Sequence, residues 1–431
     1  MNTVNTISTW TSLILHFLSS FTIPGGKIFA QLLNGWILCT VRRTVTGILP
    51  FAGPDGRHAH DAFHRFFPHA RWSMAGLWRM LAQILIKTFY RTGTITLALD
   101  DTLFHHSGKK IDGAGWWRDA VRSTSTKNVS AWGLNLVVLT LQIQLPWGGQ
   151  PLGLPINMRL HRKKQASLIE LAEQMIRELV QWHPKRLFRV VADGFYATLA
   201  GKKLPNTTII SRIKRNAELY DLPVKPKKKG RGRPRKKGQR LACPEQMAKS
   251  VRRWQKVEVC ERGKNRIRLV HSKVLLWYRV SPEPILLLIS RDPEGKEKAD
   301  FFFTTDVRMS PAEVIECYAD RWVIEDTFKN VKQYLGGQEP QTFKGQGPER
   351  AAGLSLWLYS AVWLWYLKQK SSQQYFMVQP WNPLKCRPSF ADAIGCLRRE
   401  LWRERIKSMF GNSAVHDKKF EFLLEALAPA A

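Results

Sequence analysis

Between Tyr318 and Lys332 the chain carries Tyr318, Arg321, Glu325 and Lys332. On a helix at about 100° per residue the last three fall at roughly 300°, 340° and 320° from Tyr318, so all four share one arc of about 60°. That stripe presents a phenol, two cations and one carboxylate. Ile324, Phe328, Val331 and Leu335 occupy the adjoining face, at about 220–280°, which would seat the helix on a sheet. A carboxylate among cations is ordinarily a surface ion pair, and Glu325 also has Lys329 four residues on as a plain partner. Two further acids change its meaning. Thr94 to Leu99 reads as a buried strand that delivers Asp100-Asp101-Thr102 at its tip, and Leu187 to Ala192 as another that delivers Asp193 before Gly194. Three carboxylates from two strand ends and a helix can supply hard oxygen ligands to a pair of Mg²⁺ ions about 3.5–4 Å apart, the arrangement that phosphoryl transfer needs.

These acids need a frame. Strands are expected over Leu134 to Gln144, Leu152 to Leu160 and Thr207 to Ile213, with a helix from about Gln165 to Gln181. Strands, then a helix, then strands with acids at their tips give an α/β class. Lys256 to Cys260, Arg266 to Val270 and Val274 to Val280 alternate like strands of an inserted β subdomain, and Pro284 to Ser290 and Phe301 to Thr305 return to apolar strands. Ser310-Pro311 with Glu313 marks the start of the helix that carries the stripe. The domain reading is a basic helical region 1–90, a domain 91–345 that carries the three acids and is interrupted by the basic insertion 214–282, and a helical region 346–431.

The composition narrows the partner. The 431 residues hold 67 Lys and Arg against 34 Asp and Glu, a net charge of +33, with 44% hydrophobic residues. Such a chain can bury a core, which excludes a disordered basic arm as the whole molecule, and its charge favours a phosphate polyanion. The six cysteines form no C-x-x-C pair, arguing against a zinc module or a disulfide framework and for a reducing cytoplasm. The first lysine is Lys27, so the start makes a poor signal peptide. Leu354 to Leu367 falls short of the ~18–20 apolar residues that span a bilayer and reads as a core helix, so no membrane partner is expected.

Tyr318-Ala-Asp-Arg321-Trp-Val-Ile-Glu325 with Lys332 resembles the Y-(2)-R-(3)-E-(6)-K signature of bacterial insertion-sequence DDE transposases, of the retroviral-integrase-like superfamily. Asp101 before Thr102, and Asp193 in Val191-Ala192-Asp193-Gly194, match that family's first two catalytic aspartates. The resemblance implies an RNase H-like mixed-sheet core and a transposase that cuts the ends of its element and joins the 3′ hydroxyls to target DNA. It implies Asp101, Asp193 and Glu325 as catalytic metal ligands for two Mg²⁺, Mn²⁺ being able to substitute, and Tyr318, Arg321 and Lys332 as contacts to DNA phosphates. A homodimer on double-stranded DNA follows from the need to bring two ends together, and the resemblance implies a bacterial, nucleoid-associated setting in the cytoplasm. Asp100 is the rival to Asp101, since successive strand residues face opposite sides and only one can enter the site.

Lys225 to Arg240 holds ten basic residues and no acid, and 201–240 supplies 15 − 2 = +13 of the charge. Its Arg231-Gly232-Arg233-Pro234-Arg235 resembles an AT-hook, whose arginines sit in a narrow A·T minor groove. A solvated charge run with plain phosphate affinity is the equal alternative. Two rival functions remain at this point: a non-catalytic DNA-binding regulator derived from a transposase, and a structure-specific nuclease without strand transfer.

Overall fold

The computed structural model describes residues 9–52, 59–124, 126–223, 235–369, 376, 378, 380–410, 423–424 and 426–427. Five helices come first: α1 (Trp10–Phe17), α2 (Ile23–Leu38), α3 (Val45–Ala52), α4 (His60–Phe66) and α5 (Met74–Phe89). The strands β1 (Ile95–His105), β2 (Gly115–Arg118), β3 (Ser130–Ile143) and β4 (Leu152–His161) follow, then α6 (Leu168–Trp182), β5 (Phe188–Ala192) and β6 (Thr207–Arg212). A second half adds α7 (Pro244–Ser250), β7 (Gln255–Glu261), β8 (Lys264–Leu276), β9 (Pro284–Arg291), β10 (Asp300–Thr304), α8 (Pro311–Asp320), α9 (Val323–Tyr334), α10 (Gly347–Lys368) and α11 (Phe390–Phe410).

All ten strands join one sheet, in the order β2-β3-β1-β5-β6-β10-β9-β8-β7, with β4 also on β3. β1, β3 and β4 are an antiparallel meander, while β5 lies parallel to β1 and β6 parallel to β5. The succession β4-β3-β1-β5-β6 is the mixed sheet of an RNase H-like core. The strands of the inserted segment extend this sheet through β10 against β6. Where two strands are expected over Arg266 to Val280, one long β8 runs from Lys264 to Leu276, and Trp277 begins a turn.

Local chemistry starts the helices where the sequence places them. Ser167 and Glu170 form a reciprocal capping box on α6, and Ser310 caps α8 with Pro311 at its first turn. α10 is buried on nearly every side, with Trp357 and Trp365 at 0% and 1% exposure, because helices from both ends of the chain enclose it. Trp36 of α2 donates to the carbonyl of Leu335 at 2.7 Å, Arg398 of α11 donates to that of Ile37 at 2.6 Å, and Phe17 packs edge-on to Trp357. No helix among the described residues is long and apolar enough to cross a membrane, and all six cysteines are free thiols.

Candidate active site

The faces of the sheet decide which acids can meet. Ala98 of β1 pairs with Val191 of β5, and Val191 packs in a cluster with Val314 and Ile315 of α8. Alternation then places Ala98, Asp100 and Phe104 on the α8 and α9 side, and Leu99 and Asp101 on the other. Contacts agree with this register. Asp100 Oδ2 accepts from Arg321 Nη1 at 2.6 Å, and the Phe104 ring lies 5.7 Å below the Lys332 ammonium. Asp101 Oδ1 instead accepts from the Tyr196 hydroxyl at 2.9 Å on the opposite face. The two neighbouring acids thus have different partners: Asp100 faces Arg321, which also reaches Glu325, while Asp101, the residue preferred from the sequence, faces Tyr196.

Asp193 follows directly on the last residue of β5. Its carboxylate accepts from the N–H of Phe195 at 2.9 Å, and its carbonyl accepts from the Ser211 hydroxyl at 2.7 Å, so the turn is fixed from both ends. Because β1 and β5 are parallel neighbours with Leu99 opposite Ala192, Asp193 comes level with Asp100 in the middle of β1, and its negative charge raises the pKa of Asp100 and Asp101.

The continuous helix expected from Ser310 onward is broken. Four i→i−3 bonds, Arg321 to Tyr318, Trp322 to Ala319, Ile324 to Arg321 and Glu325 to Trp322, overwind the chain between α8 and α9. The single stripe is split as a result. Arg321 turns in toward the sheet, its side chain 9% exposed, bonded to Asp100 and, at 3.4 Å, to Oε1 of Glu325. Tyr318 lies between two guanidinium groups, those of Arg212 at 5.4 Å and Arg321 at 5.5 Å from its ring. Lys332, two turns on, sits apart over Phe104, its pKa lowered by burial and partly restored by Asp119.

Burial dominates the electrostatics. It pushes Asp100 up to about 7 against the pull of Arg321, and raises Asp101 despite the bond from Tyr196. Glu325 is also raised by burial and drawn back by Arg321. Among the described residues no group of three His, Cys, Asp or Glu side chains stands ready to hold a metal ion. The reason is visible: a guanidinium occupies the space between Asp100 and Glu325.

Sequence reasoning passed over Tyr196, Arg212 and the cation-on-ring contact of Arg262 with Trp322 at 4.3 Å. Tyr196 follows Asp193 by three residues, but only the fold turns it back to β1. Of the arginines of the AT-hook-like run, Arg231 and Arg233 lie outside the described residues, and Arg235 is exposed. Beside it, Lys237 is held 3.9 Å from the Tyr220 ring.

An RNase H-like sheet with acids in the middle of one strand, where the sequence pattern expected a strand tip, and just beyond the end of its parallel neighbour defines a nuclease-type fold. The chain belongs to the DDE superfamily endonuclease family, whose model matches residues 25–268, more than half of its length. That segment contains Asp100, Asp101 and Asp193, while Glu325 lies beyond it. No curated protein sequence matches the chain. Among solved structures, the cryo-EM structure of a piggyBac transposase synaptic complex with hairpin DNA aligns with 94% of this chain and 76% of that one, at 10% identity and a TM-score of 0.43.

Proposed function

We propose that this endonuclease is a DNA transposase of the insertion-sequence type, with Asp100, Asp193 and Glu325 as its catalytic carboxylates. The observation that carries the reading is the guanidinium of Arg321 shared by Asp100 and Glu325, beside Asp193. Carboxylates that already converge on one cation can converge on another, and their hard oxygens suit Mg²⁺, with Mn²⁺ able to replace it. Bound there, a pair of such ions would supply Lewis-acid activation of the attacking oxygen and stabilisation of the leaving one.

The chain's own residues have defined tasks in this reading. Arg321, once released from the acids, forks onto a phosphate beside the scissile bond, and Tyr318 next to it donates its hydroxyl. Lys332 is a desolvated point charge for a phosphate farther along the strand. Asp101 is bonded to Tyr196 on the far face and acts by holding β1 in place. The net charge of +33 supports double-stranded DNA as substrate, both element ends and target, and the synapsis of two ends calls for a homodimer on that DNA.

The test uses linear DNA that carries the sequences flanking the coding region, with Mg²⁺. A transposase cuts at the inverted repeats and joins a pre-cut 3′ end into plasmid. Cutting without joining would identify a structure-specific nuclease. Binding without either would identify a DNA-binding regulator.

A further inference from the structure

Strand β1 continues past the carboxylates to His105, about 16 Å from Asp100 at ~3.3 Å per residue, and ends at a cleft of about 600 Å³. Arg42, Lys109 and Lys110 line it against a single acid, Glu339. That acid is already engaged, since Glu339 accepts from the N–H of Arg43 at 2.6 Å and lies 3.8 Å from its guanidinium. The cleft is therefore positive.

Its imidazoles are placed with care. Asp119, its side chain 3% exposed, stands 2.9 Å from Nε2 of His105 and is itself bonded by the N–H groups of Val121 and Arg122. The ring of His105 is thereby fixed in orientation. Nε2 of His106 is buried without a partner among the described residues, and burial pushes this group down to about 4, so it is neutral at physiological pH. The walls are rigid: the Trp132 indole donates to the carbonyl of Gly108 at 2.9 Å, and the N–H of Asp112 to that of Phe343 at 2.9 Å. A concave, positive site with one unsatisfied ring nitrogen, that of His106, suits phosphodiester oxygens and a base edge, and its volume falls in the ~300–1,000 Å³ range of sites that enclose small organic units. A duplex is too broad for it.

We propose that this cleft receives unpaired nucleotides of the DNA strand that runs from the carboxylates along β1, with Lys109, Lys110 and Arg42 on its phosphates and His105 and His106 hydrogen-bonding it. The proposal rests on the nuclease reading above and extends it to a second site a few nucleotides from the cut.

The experiment is lysine acetylation mapped by mass spectrometry on the full chain, free and with a short mixed-sequence DNA single strand or its duplex. Lys109 and Lys110 should be protected by the single strand and much less by the duplex. In parallel, K109E/K110E should weaken single-strand binding by about tenfold and flatten its logarithmic salt slope by about 1.4, for two lost contacts. The control R79E/K87E makes the same charge change at exposed positions of α5 and should weaken binding far less. Equal labelling with and without the strand, equal protection by duplex, or an equal effect of the control would each overturn the proposal. The same mapping on D100N separates the two ideas. If D100N still cleaves while the lysines are protected, the carboxylate assignment fails and the cleft stands; if D100N is inactive and the lysines stay unprotected, the reverse holds.

Discussion

Arg321 donates to Asp100 at 2.6 Å across 221 residues of sequence, with side-chain exposures of only 9% and 17%. The guanidinium opposes burial and the nearby Asp193, which still push Asp100 up to about 7. Arg321 thus serves as an internal counter-ion in the cluster of acids.

Removing it should expose that role. Arg321→Gln leaves Asp100, Asp193 and Glu325 facing one another, and breaking a buried pair from one side costs about 3–5 kcal/mol. Thermal unfolding in chelator should show this loss, and millimolar Mg²⁺ should restore more stability to the variant than to the wild type. Equal stabilisation of both proteins would contradict the counter-ion role.

Asp100→Asn, Asp193→Asn and Glu325→Gln should each lower DNA cleavage on the order of 10³-fold or more while DNA affinity stays near that of the wild type. Asp101→Asn, on the opposite face, should retain most of its activity. The comparison is direct: an active Asp100→Asn beside a dead Asp101→Asn would reverse the face assignment.

Tyr196 is 1% exposed and its hydroxyl bonds Asp101. Tyr196→Phe leaves that buried acid short of a donor, a loss of about 1.5–3 kcal/mol for a bond to a charged group. Urea denaturation should show a lower midpoint with an unchanged slope, and cleavage in the cold should persist.

The pH dependence of stability follows from Asp100. Its pKa in the folded chain, about 7, lies above its unfolded value, so the folded state holds this proton more tightly. Its contribution is then greatest at low pH and is lost as pH rises toward 7, at up to about 1.4 kcal/mol per unit. Asp100→Asn lacks this titration. The stability of the variant relative to the wild type should therefore increase between pH 5 and 7, and a flat difference would show that Asp100 is ionised throughout.

Much of the frame can be read along the chain. Thr94 to Leu99 forms the first part of β1, Leu152 to Leu160 falls within β4, and the Ser310 cap starts α8, because buried strands and capped helices depend on near neighbours. Leu354 to Leu367 is a core helix because its apolar residues leave no face for water. The overwound turn at Arg321 and Trp322 was not legible. Neither Gly nor Pro marks it, and the pull of Asp100 on the guanidinium comes from a strand distant in sequence.

The order of residues by itself determined the strands that carry the acids, the spacing of Tyr318, Arg321, Glu325 and Lys332, and the surplus of positive charge, since these are local or additive properties, although β1 runs on past its acids to His105. Which face of β1 meets α9 was left to the tertiary structure, and with it which of Asp100 and Asp101 meets Arg321. A strand offers both faces equally until neighbouring strands and a packed helix distinguish them, and here the pairing of Ala98 with Val191 beneath α8 makes that distinction.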